Sequence, residues 1–221
     1  MHNFYKQANI VQWLATILLL VGGFLPALFL IQKGQAQPFF YVLFILYIPL
    51  AQFAFTPLLR LTGVYTYYSP MLIGYMANDK EIDLHSGGSF DYLFVMRKYK
   101  SGIELRNRLL MYHLEGLLHL IQLIEHKALP ETLTISGTSY FFNKRTLQKL
   151  GFEMIKPTLF FKLNLFLNLI DLTWMYSLSK GKFSIPKIWQ AKKASISGAQ
   201  LIEHKQFIEG LLEKMNKKLM D

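Results

Sequence analysis

The chain has 221 residues, 24 Lys and Arg against 14 Asp and Glu, and no cysteine. The absent cysteine excludes disulfides, thiolate metal sites and cysteine nucleophiles, and the basic balance points towards a polyanionic surface. Roughly 60 residues at the N-terminal end are dominantly apolar, which leaves about 160 for a single domain with its own core and too few for two.

Residues 11–31 and 39–59 are apolar runs without one Asp, Glu, Lys or Arg. At about 1.5 Å of helical rise per residue, each is long enough to cross a hydrocarbon layer of about 30 Å. Residues 32–38 between them are too few to do more than turn the chain. The expected beginning is therefore a transmembrane helical hairpin over residues 1–60, with kinks at Pro26, Pro49 and Pro57. Both runs exceed the 7–15 apolar residues of a signal peptide, and they follow one another at once, so a retained anchor is expected. Lys6 and Lys33 are the only Lys or Arg before Arg60, and every acid lies beyond it. Basic flanks mark the cytoplasmic side, so both ends of the hairpin and the rest of the chain are expected there.

Beyond Arg60 the pattern predicts one α+β domain with a mixed sheet over residues 61–158. Residues 64–70 read as an aromatic, β-prone segment against the membrane surface. Residues 71–77 and 81–84 flank a polar turn at 78–80 and predict a hairpin. Residues 90–96 predict a mostly buried strand, and 97–102 a basic loop. Residues 103–126 predict a helix, because Arg108, Tyr112, Glu115, His119, Gln122 and His126 recur at steps of three and four around a broad apolar face. Residues 132–142 read as a strand, 144–150 as a short helix and 152–155 as a short strand.

The last segment, 159–221, predicts amphipathic helices. Asn164, Asn168 and Asp171 share one helical face within the apolar stretch 159–178. A third crossing would put an acid deep in lipid at about 2.5–3.5 kcal/mol, so a helix lying on the membrane is expected instead. Lys180, Lys182, Lys187, Lys192 and Lys193, interleaved with Phe183 and Trp189, form a basic run expected to meet anionic lipid, at about 1 kcal/mol per basic side chain. Clustered charge alone also admits nucleic acid, but headgroups are the nearer polyanion. Residues 199–219 predict a further amphipathic helix.

Two constellations could carry chemistry. His85, Ser86, Ser89 and Asp91 lie in the loop HSGGSFDY, where a hydrogen-bonded nucleophilic set needs contacts of about 3 Å; the glycines serve equally as a tight turn. Glu115, His119 and His126 share a helix face, but the two imidazoles are about 10 Å apart along the axis, too far for one metal ion.

Residues 91–152 resemble the later half of the GNAT N-acetyltransferase fold: a strand and loop leading into a helix, then a strand, a short helix and a Leu-Gly-Phe turn. The pieces are 90–96, 97–102, 103–126, 132–142 and the run from Asn143 to Leu150-Gly151-Phe152. Tyr99 and Glu104 flank Gly102 where the family's phosphate loop has other residues. The resemblance implies a coenzyme A thioester as co-substrate, with its pyrophosphate near Ser101, Gly102 and Asn143; the candidate catalytic residues remain those read from the loop, His85, Ser89 and Asp91. The expected function is an acyltransferase-like enzyme at the cytoplasmic membrane surface. The alternative is a non-catalytic anchor or assembly factor that recruits a protein partner or a second copy of itself.

Overall fold

The computed structural model describes residues 4–138 and 144–220. Two helices come first. Helix α1 spans Asn9–Ala36 and continues through Pro26; a 3-10 turn, Pro38–Leu43, leads into α2, Phe44–Leu61, which continues through Pro49 and Pro57. Asn9–Ala36 and Pro38–Leu61 are long and apolar enough to cross a membrane, and only 11% and 17% of their most apolar stretches are buried. A soluble core helix would bury that surface. The helices pack through small residues: a Cβ on Gly23 would lie 3.0 Å from that of Ala54, and the Tyr47 hydroxyl donates to the Gly23 carbonyl at 2.9 Å.

The rest is an α+β unit. Its strands are β1 (Tyr65–Ser69), β2 (Leu72–Tyr75), β3 (Glu81–Ser86), β4 (Thr134–Thr138), β5 (Glu153–Ile155) and β6 (Lys193–Ser197). Among the described residues they form one mixed six-stranded sheet in the order β1-β2-β3-β4-β6-β5. Only β3 and β4 are parallel; the other neighbours run antiparallel. The parallel pair needs a long crossover, supplied by α4, Ile103–Glu125.

Alternation gives the sheet two unlike faces. Leu72, Ile82, Leu84, Ile135, Ala194 and Ile196 pack beneath α4 and the C-terminal helices α8 (Gly198–Glu203) and α9 (Lys205–Met220). Helix α4 comes close because residue 116 is glycine: a Cβ there would meet Leu72 Cδ2 at 2.5 Å. His119, on the face considered for metal binding, instead bonds through Nδ1 to the Tyr68 carbonyl at 2.9 Å. Asp83 and His85 alternate with Ile82 and Leu84 and so occupy the opposite face, where Ser136 and Ser195 follow by register.

Two expectations are corrected. Residues 90–96 are helical: a turn, α3 (Ser89–Asp91), runs into a π-helical stretch, Tyr92–Met96. Phe90, Tyr92, Val95 and Met96 are buried while Leu93 and Phe94 are exposed. A short apolar run does not distinguish a buried strand from a buried helical turn. Residues 193–197, expected within a membrane-surface segment, form β6 inside the sheet, with Ala194 and Ile196 inward. The last segment thus completes the domain begun at β1. Helices α5 (Lys144–Lys149), α6 (Leu159–Leu167) and α7 (Leu169–Lys180) fill the remaining connections.

The hairpin is fastened to the domain by an aromatic joint. Phe90 meets Phe4 at 5.4 Å and Phe53 of α2 at 5.2 Å between ring centroids. The Arg60 guanidinium lies 5.1 Å from the Tyr5 ring and 5.4 Å from that of Tyr67. Residues on both limbs of the hairpin therefore meet the domain at one end of the helix pair.

Candidate functional site

A cavity of about 830 Å³ lies where α2, the ends of β3 and β4, and helices α6–α7 converge. Each wall follows from local structure. Among the described residues, β3 pairs with β4 through Leu84 and Gly137 and with β2 through His85 and Ser86. Among the described residues, β4 offers His85 and Ser86 no strand partner. The cavity lies by the carboxyl ends of the described parallel strands, where ligands bind in sheets of this kind.

The loop that closes this end is Gly87-Gly88. A Cβ on Gly87 would lie 2.8 Å from that of Asp91, so the chain passes too close for any side chain. Gly88 is open: the nearest atom to a Cβ there is the Thr56 hydroxyl of α2, at 3.9 Å. The Ser86 hydroxyl is buried with no hydrogen-bond partner among the described residues.

Two polar groups face the space. On the sheet, His85 Nε2 lies 3.3 Å from Asp83 Oδ2, the Ser136 hydroxyl donates to Asp83 Oδ1 at 3.1 Å, and Lys193 Nζ is 4.0 Å from the same oxygen. Burial pushes the Asp83 carboxyl up, but His85, Lys193 and Ser136 together hold it below its ordinary value. Across the cavity, Asp171 is buried on α7. Desolvation pushes its carboxyl up to about 6 against the opposing pull of the Ser89 hydroxyl and amide. The carboxyl is therefore poised to take up or release a proton near neutrality. His113, on α4 beside Leu117, is buried and pushed down to about 4 by desolvation, so it is neutral at pH 7.

A third group joins the helices. Gln52 of α2 donates through Nε2 to Asn168 Oδ1, and Asn168 Nδ2 donates to the Asn164 carbonyl at 2.7 Å. The polar face Asn164–Asn168–Asp171, expected to meet water on a membrane-surface helix, thus lines the cavity and meets α2.

The proposed catalytic loop divides. His85 and Ser89 line the cavity, paired with Asp83 and facing Asp171 respectively. Asp91 does not: it is fully buried behind the loop, accepting from the Tyr67 hydroxyl at 2.9 Å and the Gly88 amide at 3.0 Å. Its role is to hold the loop.

The expected coenzyme loop lies elsewhere. Gly102, at φ 97°, begins α4, and its amide donates to the Leu178 carbonyl at 2.8 Å. It packs against Gly181 at the end of α7. Its amide is thereby committed to the fold, Ser101 beside it is exposed, and neither lines the cavity. Asn143 lies outside the described residues.

Of the basic run, Lys180, Lys182, Lys187 and Lys192 are exposed, as are Phe183 (79%) and Trp189 (70%). Lys193 is corrected: it is a strand residue facing Asp83, because alternation along β6 turns it onto the sheet's polar face. Among the described residues, no group of three His, Asp or Glu could hold a metal ion.

Gln52, Asp83, His113, Asn164, Asn168 and Asp171 were not singled out by sequence as site residues. The one usable signal was the spacing of Asn164, Asn168 and Asp171 on a common helical face. Comparison with protein-family models, curated proteins and solved structures gives no match.

Proposed function

We propose that this chain is a membrane-anchored acyltransferase, moving an acyl group from a coenzyme A thioester to an acceptor presented at the membrane surface. The observation that carries this is the cavity of about 830 Å³ bounded by the Gly87-Gly88 loop and lined by His85, Ser89 and Asp171. The order of elements around it also supports the GNAT-like layout. Strand β3, a glycine loop, the helical turns of residues 89–96, helix α4, parallel strand β4, short helix α5 and Gly151-Phe152 follow in that order, with β3 in the place that sequence reasoning gave to residues 90–96.

The residues fit such a co-substrate. The thiol arm of coenzyme A carries amides, which need polar partners inside the cavity. The Ser86 hydroxyl is a further buried group in need of a partner. When bound, the thioester supplies an activated acyl carbon: an acceptor amine nitrogen bonds to that carbon as the carbon–sulfur bond breaks, and the departing thiolate is matched by the proton the nitrogen loses. Asp171 is placed to take that proton, because its raised carboxyl is largely ionised at pH 7 and remains basic. Ser89 lies beside Asp171 at the cavity wall, and Asp83 holds the His85 ring in one attitude.

Calorimetry on the full chain in nanodiscs, with acetyl- and long-chain acyl-coenzyme A, tests this. Binding should weaken at least about tenfold in Gly88→Trp, whose side chain enters the cavity. Circular dichroism should remain unchanged, since that position has open space. No binding of either thioester would remove acyl transfer and leave a non-catalytic anchor.

The two apolar helices are proposed to cross the bilayer with both ends cytoplasmic. Their large exposed apolar surface and the absence of charge from residues 11–31 and 39–59 support insertion. The basic balance beyond Arg60 supports the orientation. Leu159 (80% exposed) and Phe166 (61%) extend the apolar surface onto α6, beside Trp189 and the exposed lysines, so this side of the domain is proposed to rest on anionic lipid. The chain has no native thiol, so single cysteines report without background. An impermeant reagent applied outside cells should label Gln35→Cys and spare Lys218→Cys. The reverse labelling would invert the orientation.

A further inference from the structure

The cavity runs along the last part of the proposed second span. Ala51, Gln52, Phe55, Thr56 and Leu59 line it from α2, repeating at the spacing of one helical face. This stretch is the last part of the span before Arg60, and ten residues of helix cover about 15 Å, the thickness of one hydrocarbon leaflet. The facing wall comes from Phe161, Asn164, Leu165 and Asn168 of α6 and its junction with α7. Both helices turn their other sides outward: Leu46 and Leu50 on α2, Leu163 and Phe166 on α6, all exposed. Between the two walls, the hydrogen bond from Gln52 to Asn168 is a polar tie.

We infer that the acceptor is a membrane amphiphile, a long hydrocarbon chain bearing a primary amine, that enters sideways between α2 and α6 from the leaflet next to the domain. The chain lies along Phe55, Leu59, Phe161 and Leu165, and the amine reaches Asp171. The choice of an amine deepens the acyl-transfer proposal and rests on it; the sideways entry of a hydrocarbon chain does not. Asp83 is already matched by His85, Ser136 and Lys193, whereas Asp171 lines the same cavity with no salt-bridge partner among the described residues. An ammonium head supplies the missing charge on entry; one of its protons passes to solvent before attack, and Asp171, still ionised, takes the second as the nitrogen bonds to the acyl carbon. A soluble acceptor would have no use for a wall made from a membrane-depth helix.

Photo-crosslinking tests this in full-length protein in phosphatidylcholine nanodiscs. The probe is hexadecylamine with a diazirine on its chain, compared with hexadecanoate carrying the same group. The amine probe should label peptides covering residues 51–59 and 161–168, with excess unlabelled hexadecylamine competing. Thr56→Trp should reduce that labelling about tenfold, Ala51→Phe serving as a second plug, while Leu46→Trp on the outer face leaves it unchanged. Labelling confined to the outward face, equal for both head groups and indifferent to the plugs, would overturn the inference. Thioester binding with no cavity labelling would overturn the amphiphile and spare acyl transfer. Cavity labelling without thioester binding would uphold chain entry and remove acyl transfer.

Discussion

Asp171→Asn should slow acyl transfer by about 10²–10⁴-fold, the usual weight of a general base, and leave thioester affinity within about twofold. The amide preserves shape, but it takes up no proton. The pH dependence separates this role from a structural one. Burial lifts the Asp171 carboxyl to about 6, so the base form is lost below that value. The wild-type rate should therefore rise through pH 6, and the variant should lose that acidic limb. Asp171→Glu should restore part of the rate, because it returns the carboxylate at a displaced position. Turnover against pH, with binding measured separately, checks all three expectations. A variant with unchanged turnover and an intact acidic limb would transfer the base role to His85.

Asp91→Ala should cost the folded state several kcal/mol at pH 5. Its carboxylate oxygens accept from the Tyr67 hydroxyl and the Gly88 amide. A buried donor left unpaired costs about 1–3 kcal/mol. Because Gly88 bounds the cavity and Tyr67 touches Tyr5 and Arg60, the damage reaches both the site and the joint with the hairpin.

The cost should shrink as pH rises. Desolvation holds the Asp91 carboxyl up at about 7, against an ordinary value of 3.8. The folded state therefore keeps its proton longer than the unfolded chain, and the stability linked to that proton is fully present below pH 3.8 and lost as pH climbs to 7. Asp171 acts with the same sign up to about pH 6. His113 opposes them: pushed down to about 4, it contributes stability fully above 6.5, which is lost as pH falls towards 4. Only the difference between wild type and an Asp91 variant isolates the carboxyl. In denaturant titrations from pH 4 to 7, the stability gap between wild type and Asp91→Asn should move in the variant's favour by a few kcal/mol, on the order of 1.4 kcal/mol for each tenfold change in proton affinity. A gap that stays constant would mean that Asp91 is ionised in the folded protein throughout.

The paired apolar helices were legible because length and absent charge are local properties. Helix α4 and the β2–β3 hairpin were legible for the same reason, through period and turn residues. Residues 90–96 were not: Phe90-Asp91-Tyr92-Leu93-Phe94-Val95-Met96 is apolar enough for either conformation, and only packing against Phe4, Phe53 and α4 makes it helical. Strand β6 showed a two-residue alternation in Lys193-Ala194-Ser195-Ile196-Ser197, but its first residue completed a run of lysines and was assigned with them. The site was least legible. Gln52 stood alone in an apolar span, and its partner Asn168 is 116 residues away. No local pattern links such positions. Asp91 illustrates the converse, since its position in a reactive-looking loop suggested catalysis while its complete burial assigns it to holding that loop.

Acyl transfer from a thioester at the cavity by the ends of β3 and β4 is tested most directly by following the thiol it liberates. Because the chain contains no cysteine, thiol released from coenzyme A can be measured in vesicles bearing the full-length protein, with no protein signal to subtract. With long-chain acyl-coenzyme A and hexadecylamine together, thiol should appear in one-to-one proportion with the amide product, at a rate lost in both Gly88→Trp and Asp171→Asn. Thiol release that never exceeds that of protein-free vesicles, or that proceeds equally in both variants, would contradict it.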